Sequence, residues 1–146
     1  MSSSETRSTI PGPSGPIPYT RDAQGYPTIE ARDFAEGAFA RGYLHATDRL
    51  IQVRIALAFA AGQALSILGD VPLARAIDRW AHLHDLCGGL DEQVTRLSPS
   101  ARSMVDAYCA GFNAGTQARG WPLILRLIGI KPVDYRPQDM LALFRM

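Results

Sequence analysis

Cysteine is scarce in this chain: 146 residues carry two, Cys87 and Cys109. Two cysteines build no disulfide framework at this length, so both read as free, semi-buried thiols. Long apolar runs are missing as well. No stretch approaches the roughly 18 uninterrupted apolar residues of a membrane span. The opening MSSSETRSTIPGPSGPIP lacks the apolar core of a secretory signal. With Met1 as the natural start, the expected location is the cytoplasm. An excess of one charge is also absent. Lys and Arg number 15 against 14 Asp and Glu, a net charge of +1, and the signs are mixed along the chain. That leaves no basic stripe for nucleic acid or for a membrane surface. Catalytic signatures are missing too. No serine sits in a Gly-x-Ser-x-Gly elbow. Gly88-Gly89 lacks the strand, the lysine and the spacing of a phosphate loop. No His-x-x-x-His or His-Glu zinc spacing occurs, so neither metal nor cofactor is expected.

What is present suits a folded, mostly helical domain. Hydrophobic residues make up 47% and charged residues 20%, and the length allows one domain at most. Residues 1–15, rich in Ser, Pro and Gly, read as a flexible arm; the domain proper occupies 16–146. Two β-favouring runs, 17–22 and 26–31, flank Ala23-Gln24-Gly25 and predict a hairpin. Asp33 then caps a helix, with Glu36 where a capping box has its acid. From there to Leu68, apolar residues recur every three or four positions: Phe39, Tyr43, Ala46, Leu50, Val53, Leu57, Ala61, Ala64 and Leu68. This is one long amphipathic helix or two joined ones, with Gly42 and Gly62 marking close packing or a kink.

A helix over 73–86 carries a stripe of Leu73, Ile77, Trp80 and His84. Ser98-Pro99 opens another, with Ser as cap and Pro at the first helical position, burying Ala101, Val105, Tyr108 and Phe112. Pro137 starts a last helix, 138–146. That helix stops inside an apolar pattern without a cap, so completion by a further segment or a separate chain is expected.

The densest polar group is His45, Asp48 and Arg49, with Gln52 one turn further. Spacings of three and four put them close together on one helix. They suit either an acid/base cluster or a packed polar network, and the absence of zinc spacing favours the network. His82 and His84 are two apart, which on a helix points them to different sides, so they are not a metal pair. Gln52, Arg54 and Arg79 read as surface or inter-helix polar residues.

The ordered motifs resemble a known family. Arg21-Asp22-x-x-Gly25-x-Pro27-x-Ile29-x-Ala31 is similar to the opening strands of penicillin acylases (penicillin amidases), which are N-terminal-nucleophile hydrolases. Gly42-Tyr43-x-His45-Ala46-x-Asp48-Arg49-Leu50-x-Gln52 follows at family-like distance and resembles their most recognisable α-subunit segment. Gly62 and Leu68-Gly69 resemble the end of that helix. The run 107–114, Ala-Tyr-Cys-Ala-Gly-Phe-Asn-Ala, resembles the family's tyrosine-glycine-asparagine helix, and Tyr135-Arg136-Pro137-Gln138-Asp139 its proline-rich turn. The chain departs from the family at Thr28, usually His, at Leu57-Ala58, usually two arginines, and near Ser66, where the family usually has an acid.

The resemblance implies an α+β fold: a mostly helical α subunit with a short N-terminal strand pair, part of an αββα architecture completed by a β subunit. It implies an amide hydrolase or acyltransferase acting on a small acyl-amide. The nucleophile would be the N-terminal Ser, Thr or Cys of the β chain, released by self-cleavage of a precursor, and no catalytic residue would lie in this chain. Leu141, Phe144 and Met146 are the candidate pocket walls. A cytoplasmic biosynthetic acyltransferase or cyclase, or a non-catalytic helical binding module, would use the same scaffold.

Overall fold

A computed structural model describes residues 6–146. The chain opens with three antiparallel strands in the order β1 (Thr6–Gly12), β2 (Gly15–Arg21) and β3 (Pro27–Ile29). The first corrects the sequence reading, which placed a flexible arm over 1–15. Residues 1–5 lie outside the described residues, but Thr6–Gly12 pairs along its whole length with β2. Its composition hid it: only Ile10 is apolar, and the rest of the strand is held by backbone pairing. Ile10 stands opposite Ile17, both almost fully buried, and the pair packs on Phe39, Ala40 and Leu44.

The expected hairpin is present as β2 and β3. Asp22 organises its turn, its Oδ1 accepting from the N–H groups of Gln24 (3.0 Å) and Tyr26 (2.8 Å).

Helix α1 (Phe34–Ala60) begins where Asp33 accepts a hydrogen bond from the Glu36 N–H. The return arm of the capping box is shifted by one residue: Glu36 accepts from the Arg32 N–H (2.6 Å) and binds the Arg32 guanidinium. The long pattern resolves into two joined helices. Gly62 turns the chain at φ 67°, and a Cβ there would collide with the His82 ring. Helix α2 (Ala64–Leu68) follows.

Its N-terminal N–H groups are satisfied from another helix. The buried Asp78 of α3 (Pro72–Leu83) accepts from Ala64 N (2.6 Å) and Leu65 N (3.0 Å). This overturns the stripe expected for α3. Ala74, Asp78 and Ala81 face inward, while Leu73 and Trp80 are exposed at 64% and 39%. The small alanines let α3 come close enough for Asp78 to reach α2. Periodicity registered side-chain size and missed this polar anchor.

Helices α4 (Leu90–Thr95), α5 (Pro99–Arg119), α6 (Leu123–Leu127) and α7 (Pro137–Arg145) complete the chain. Ser98 caps α5 as expected, accepting from Ala101 N. Of the four residues expected inside α5, only Phe112 is buried; Ala101, Val105 and Tyr108 are half-buried, and Cys109, Gly111 and Gly115 take the interior face.

The reason is the α1–α5 contact. A Cβ at Gly42 would strike the Tyr108 carbonyl, one at Gly111 the Phe39 carbonyl, and one at Gly115 the Tyr43 carbonyl. The two helices therefore meet backbone to backbone, and the larger residues fill the flanks. The main core lies beside this seam, with Leu50, Phe112, Leu125 and Tyr135 buried together.

Candidate functional site

Among the described residues two concavities lie against α1, one of them also bounded by α5. The larger, about 1030 Å³, is a groove between the first turns of α1, the start of α5 and α7. Its walls are largely apolar: Phe34, Met104, Val105, Met140, Leu143 and Phe144 line it. Phe34 and Phe144 stand 82% and 74% exposed at its rim. Its polar groups are mainly Arg32, Asp33, Arg41, His45 and Tyr108.

His45 Nδ1 lies 2.8 Å from the Tyr108 hydroxyl, and the rings meet edge to face. Burial, helped by the nearby Arg41 charge, lowers the His45 pKa, and burial pushes Tyr108 up to about 12. At neutral pH the pair is uncharged. It offers hydrogen bonds to the groove, and no proton carrier tuned to pH 7.

The four polar residues singled out from the sequence separate in space. His45 faces Tyr108. Asp48 turns to the sheet and accepts from Arg21 Nη2 at 2.8 Å, tying α1 to the end of β2. Arg49 and Gln52 bond each other at 3.2 Å on an exposed face. The Arg21–Asp48 pair is 28% and 37% exposed, so it belongs with surface ion pairs.

The three candidate pocket walls also separate. Phe144 lines the groove. Leu141 faces away from it and packs against a cluster containing Ala60, Ala81, Leu86 and Leu90. Met146, half exposed, is not among the lining residues.

The sequence reading missed two features. Asn113 binds both backbone groups of Tyr135, donating to its carbonyl (3.0 Å) and accepting from its N–H (2.7 Å). This clamps the approach to α7 onto α5. The second is Arg54, taken as a surface or inter-helix residue but only 3% exposed. Its position carried a signal: it lies four residues from both Leu50 and Ala58, which are buried. Arg54 Nη2 donates to the Val133 carbonyl at 2.6 Å, and its guanidinium carbon lies 5.5, 5.2 and 5.9 Å from the ring centres of Phe112, Trp121 and Tyr135. Arg54 also lines the smaller cavity, about 650 Å³.

Nucleophiles are poorly placed. Among the described residues, no Ser, Thr or Cys side chain is hydrogen-bonded to a histidine. The serine and threonine hydroxyls bond mainly local carbonyls, as Ser66 to Gln63 and Thr116 to Phe112. Burial pushes the Cys109 thiol up to about 12 and raises that of Cys87, so neither is activated. Among the described residues, no group of three or more His, Cys, Asp or Glu is placed to hold a metal ion, and no helix is long and apolar enough to cross a membrane.

Comparison with known proteins places this arrangement. The family model described as penicillin amidase matches residues 19–146. The chain belongs to the penicillin amidase family. Penicillin acylase 2 proenzyme of Pseudomonas sp. (strain SE83) is 34% identical over 140 residues, covering 94% of this chain and 18% of that protein. Acyl-homoserine lactone acylase QuiP of Pseudomonas aeruginosa (strain PAO1) is 30% identical over 139 residues, covering 94% of this chain and 16% of that one. The chain thus spans less than a fifth of the length of these relatives. Among solved structures, a thermostable penicillin G acylase from Alcaligenes faecalis superposes with a TM-score of 0.69 at 20% identity, over 95% of this chain and 71% of that one. The likeness is one of fold: a mostly helical chain with a small three-stranded antiparallel sheet, the α+β class expected from the sequence.

Proposed function

We propose that this chain is the α-subunit part of an acylase that hydrolyses an amide between an acyl group and an amine, or transfers that acyl group. The nucleophile in this reading is the N-terminal Ser, Thr or Cys of a separate β subunit. The observation that carries it is the family match over 19–146, which runs through a body without an activated nucleophile. An N-terminal residue supplies both parts that the described residues lack. Its side chain attacks the carbonyl, and its α-amine, with an ordinary pKa near about 8, takes the proton at neutral pH. The relatives named as penicillin and acyl-homoserine lactone acylases support an acyl-amide substrate.

The described chain contributes binding surface. The groove beside Phe144, apolar with His45 and Tyr108 as neutral hydrogen-bonding groups, suits the acyl portion of a small amide. The location in this reading is the cytoplasm.

The test is expression of the complete precursor, followed by intact mass and N-terminal sequencing of every polypeptide that co-purifies. The purified protein is then assayed for amine release from phenylacetyl and straight-chain acyl amides. A second chain beginning with Ser, Thr or Cys, together with amine release, is the expected result. A single uncleaved polypeptide without amidase activity would contradict the reading and favour a binding module.

A further inference from the structure

Arg54 is a buried cation without an acid partner among the described residues. A guanidinium has five N–H donors and remains charged in proteins. Here one hydrogen bond, from Nη2 to the Val133 carbonyl, serves it, while Nε is buried without any acceptor. No carboxylate among the described residues lies within ion-pair distance of Arg54. Asp139, which lines the same cavity, is engaged by the Arg136 N–H (2.9 Å) and guanidinium (3.7 Å). Asp134 is exposed at the rim.

Native interiors rarely leave a buried charge in this condition, because desolvation of the ion must be offset by a partner. The three aromatic rings offset part of that cost but supply no hydrogen-bond acceptor for Nε. The cavity beside Arg54 has room for the missing group. Its apolar side is formed by Leu57, Ala58, Ile67 and Ile128, and Lys131 and Arg136 add two further cations.

We propose that this cavity is a carboxylate site, in which one carboxylate group binds the Arg54 guanidinium through the donors the chain leaves open. The apolar side suits a carboxylate borne on a short hydrocarbon stem. A small-molecule acid and an Asp or Glu side chain of a further polypeptide present the same chemistry here. The proposal concerns the cavity across α1 from the groove and does not depend on the acylase reading.

The test uses the complete protein with every chain it carries, and acetate as the probe. Thermal unfolding is followed against acetate, with chloride at equal ionic strength as the reference, in wild type, Arg54→Lys and Arg54→Met. A crystal structure of the wild type is determined alongside.

If the site takes a small acid, acetate raises Tm above the chloride reference, and the rise grows with the logarithm of acetate concentration above its Kd, by about 1 °C at roughly ten times Kd for a protein of several hundred residues. The response is then lost in Arg54→Met and partly kept in Arg54→Lys. If a protein side chain supplies the group, acetate has no effect, and the crystal structure has an Asp or Glu carboxylate within hydrogen-bond distance of Arg54. Both results support the site and identify the source. An acetate response that persists in Arg54→Met overturns the proposal. So does the absence of any response combined with a crystal structure in which Arg54 meets only its aromatic rings and Val133. The wild-type structure decides the question even if Arg54→Met does not fold.

Discussion

The α1–α5 seam and the margin formed by α3 and α6 are built in opposite ways. Along the seam, Gly42, Gly111 and Gly115 let two helices touch through their backbones, and Phe112 and Leu50 close the core beside them. At the margin, large apolar side chains point outward: Leu73, Leu83, Leu123 and Leu127 are 64–76% exposed. There the inward contacts of α3 come from alanines and from Asp78, which caps α2, and that of α6 from the single buried Leu125. The seam is fixed by steric shape and tolerates almost no change of volume. The margin is held on α3 by small residues and a polar anchor and on α6 by one buried leucine, and is expected to open at lower free energy.

The largest expected effect breaks the seam. Gly111→Leu forces the Phe39 carbonyl away and should cost more than about 3 kcal/mol, the upper end of ordinary overpacking. The readout is loss of soluble protein or of a cooperative denaturant transition. Next is Asn113→Ala, which strips both partners from the Tyr135 backbone. Removing partners from buried groups costs about 1–3 kcal/mol, and the loss should appear in urea unfolding together with faster hydrogen exchange at Tyr135.

A pH effect follows from His45, whose folded pKa lies below its unfolded value. The folded state then binds fewer protons at this site. Its stabilising contribution is complete above the unfolded pKa of about 6.5 and is lost as pH falls from there toward the folded pKa. Urea midpoints measured between pH 7.5 and 5 should show this component in wild type and not in His45→Gln.

Asp48→Asn is expected to cost only about 0.2–1 kcal/mol, since its pair with Arg21 is partly exposed. A loss of several kcal/mol would mean that this corner is buried by something else. The smallest effect tests the margin: Leu83→Glu should change the stability of this chain by no more than about 0.5 kcal/mol. A large loss in the complete protein would reveal a covered face.

Local signals in the sequence carried much of the fold. Asp33, Ser98-Pro99 and Gly62 are punctuation that acts within a few residues, and each marks a real boundary. The hairpin around Gly25 was legible for the same reason. Strand β1 was not, because its pairing is backbone chemistry and its composition resembles that of a loop. The inward faces of α3 and α5 were misjudged where small or polar residues face a close neighbour; apolar periodicity gives weight to size, and Ala74, Asp78, Gly111 and Gly115 carry little of it. Of the three candidate pocket walls only Phe144 lines the groove. His45 meets Tyr108, 63 positions away, in the groove wall, and no local spacing reports such a meeting. Arg54 was read as a surface or inter-helix residue, and its place between Leu50 and Ala58 is the signal that decides for the packed alternative.

The central claim is that the reacting group lies outside these residues, and labelling with a radiolabelled serine-directed sulfonyl fluoride tests it most directly. The active complete protein is inactivated, its chains are separated, and the site is located by peptide mass. The account predicts one equivalent of label on the first residue of a partner chain and none on residues 1–146. Stoichiometric label on any serine of this chain, or on Cys87 or Cys109, with matching loss of activity, would contradict it.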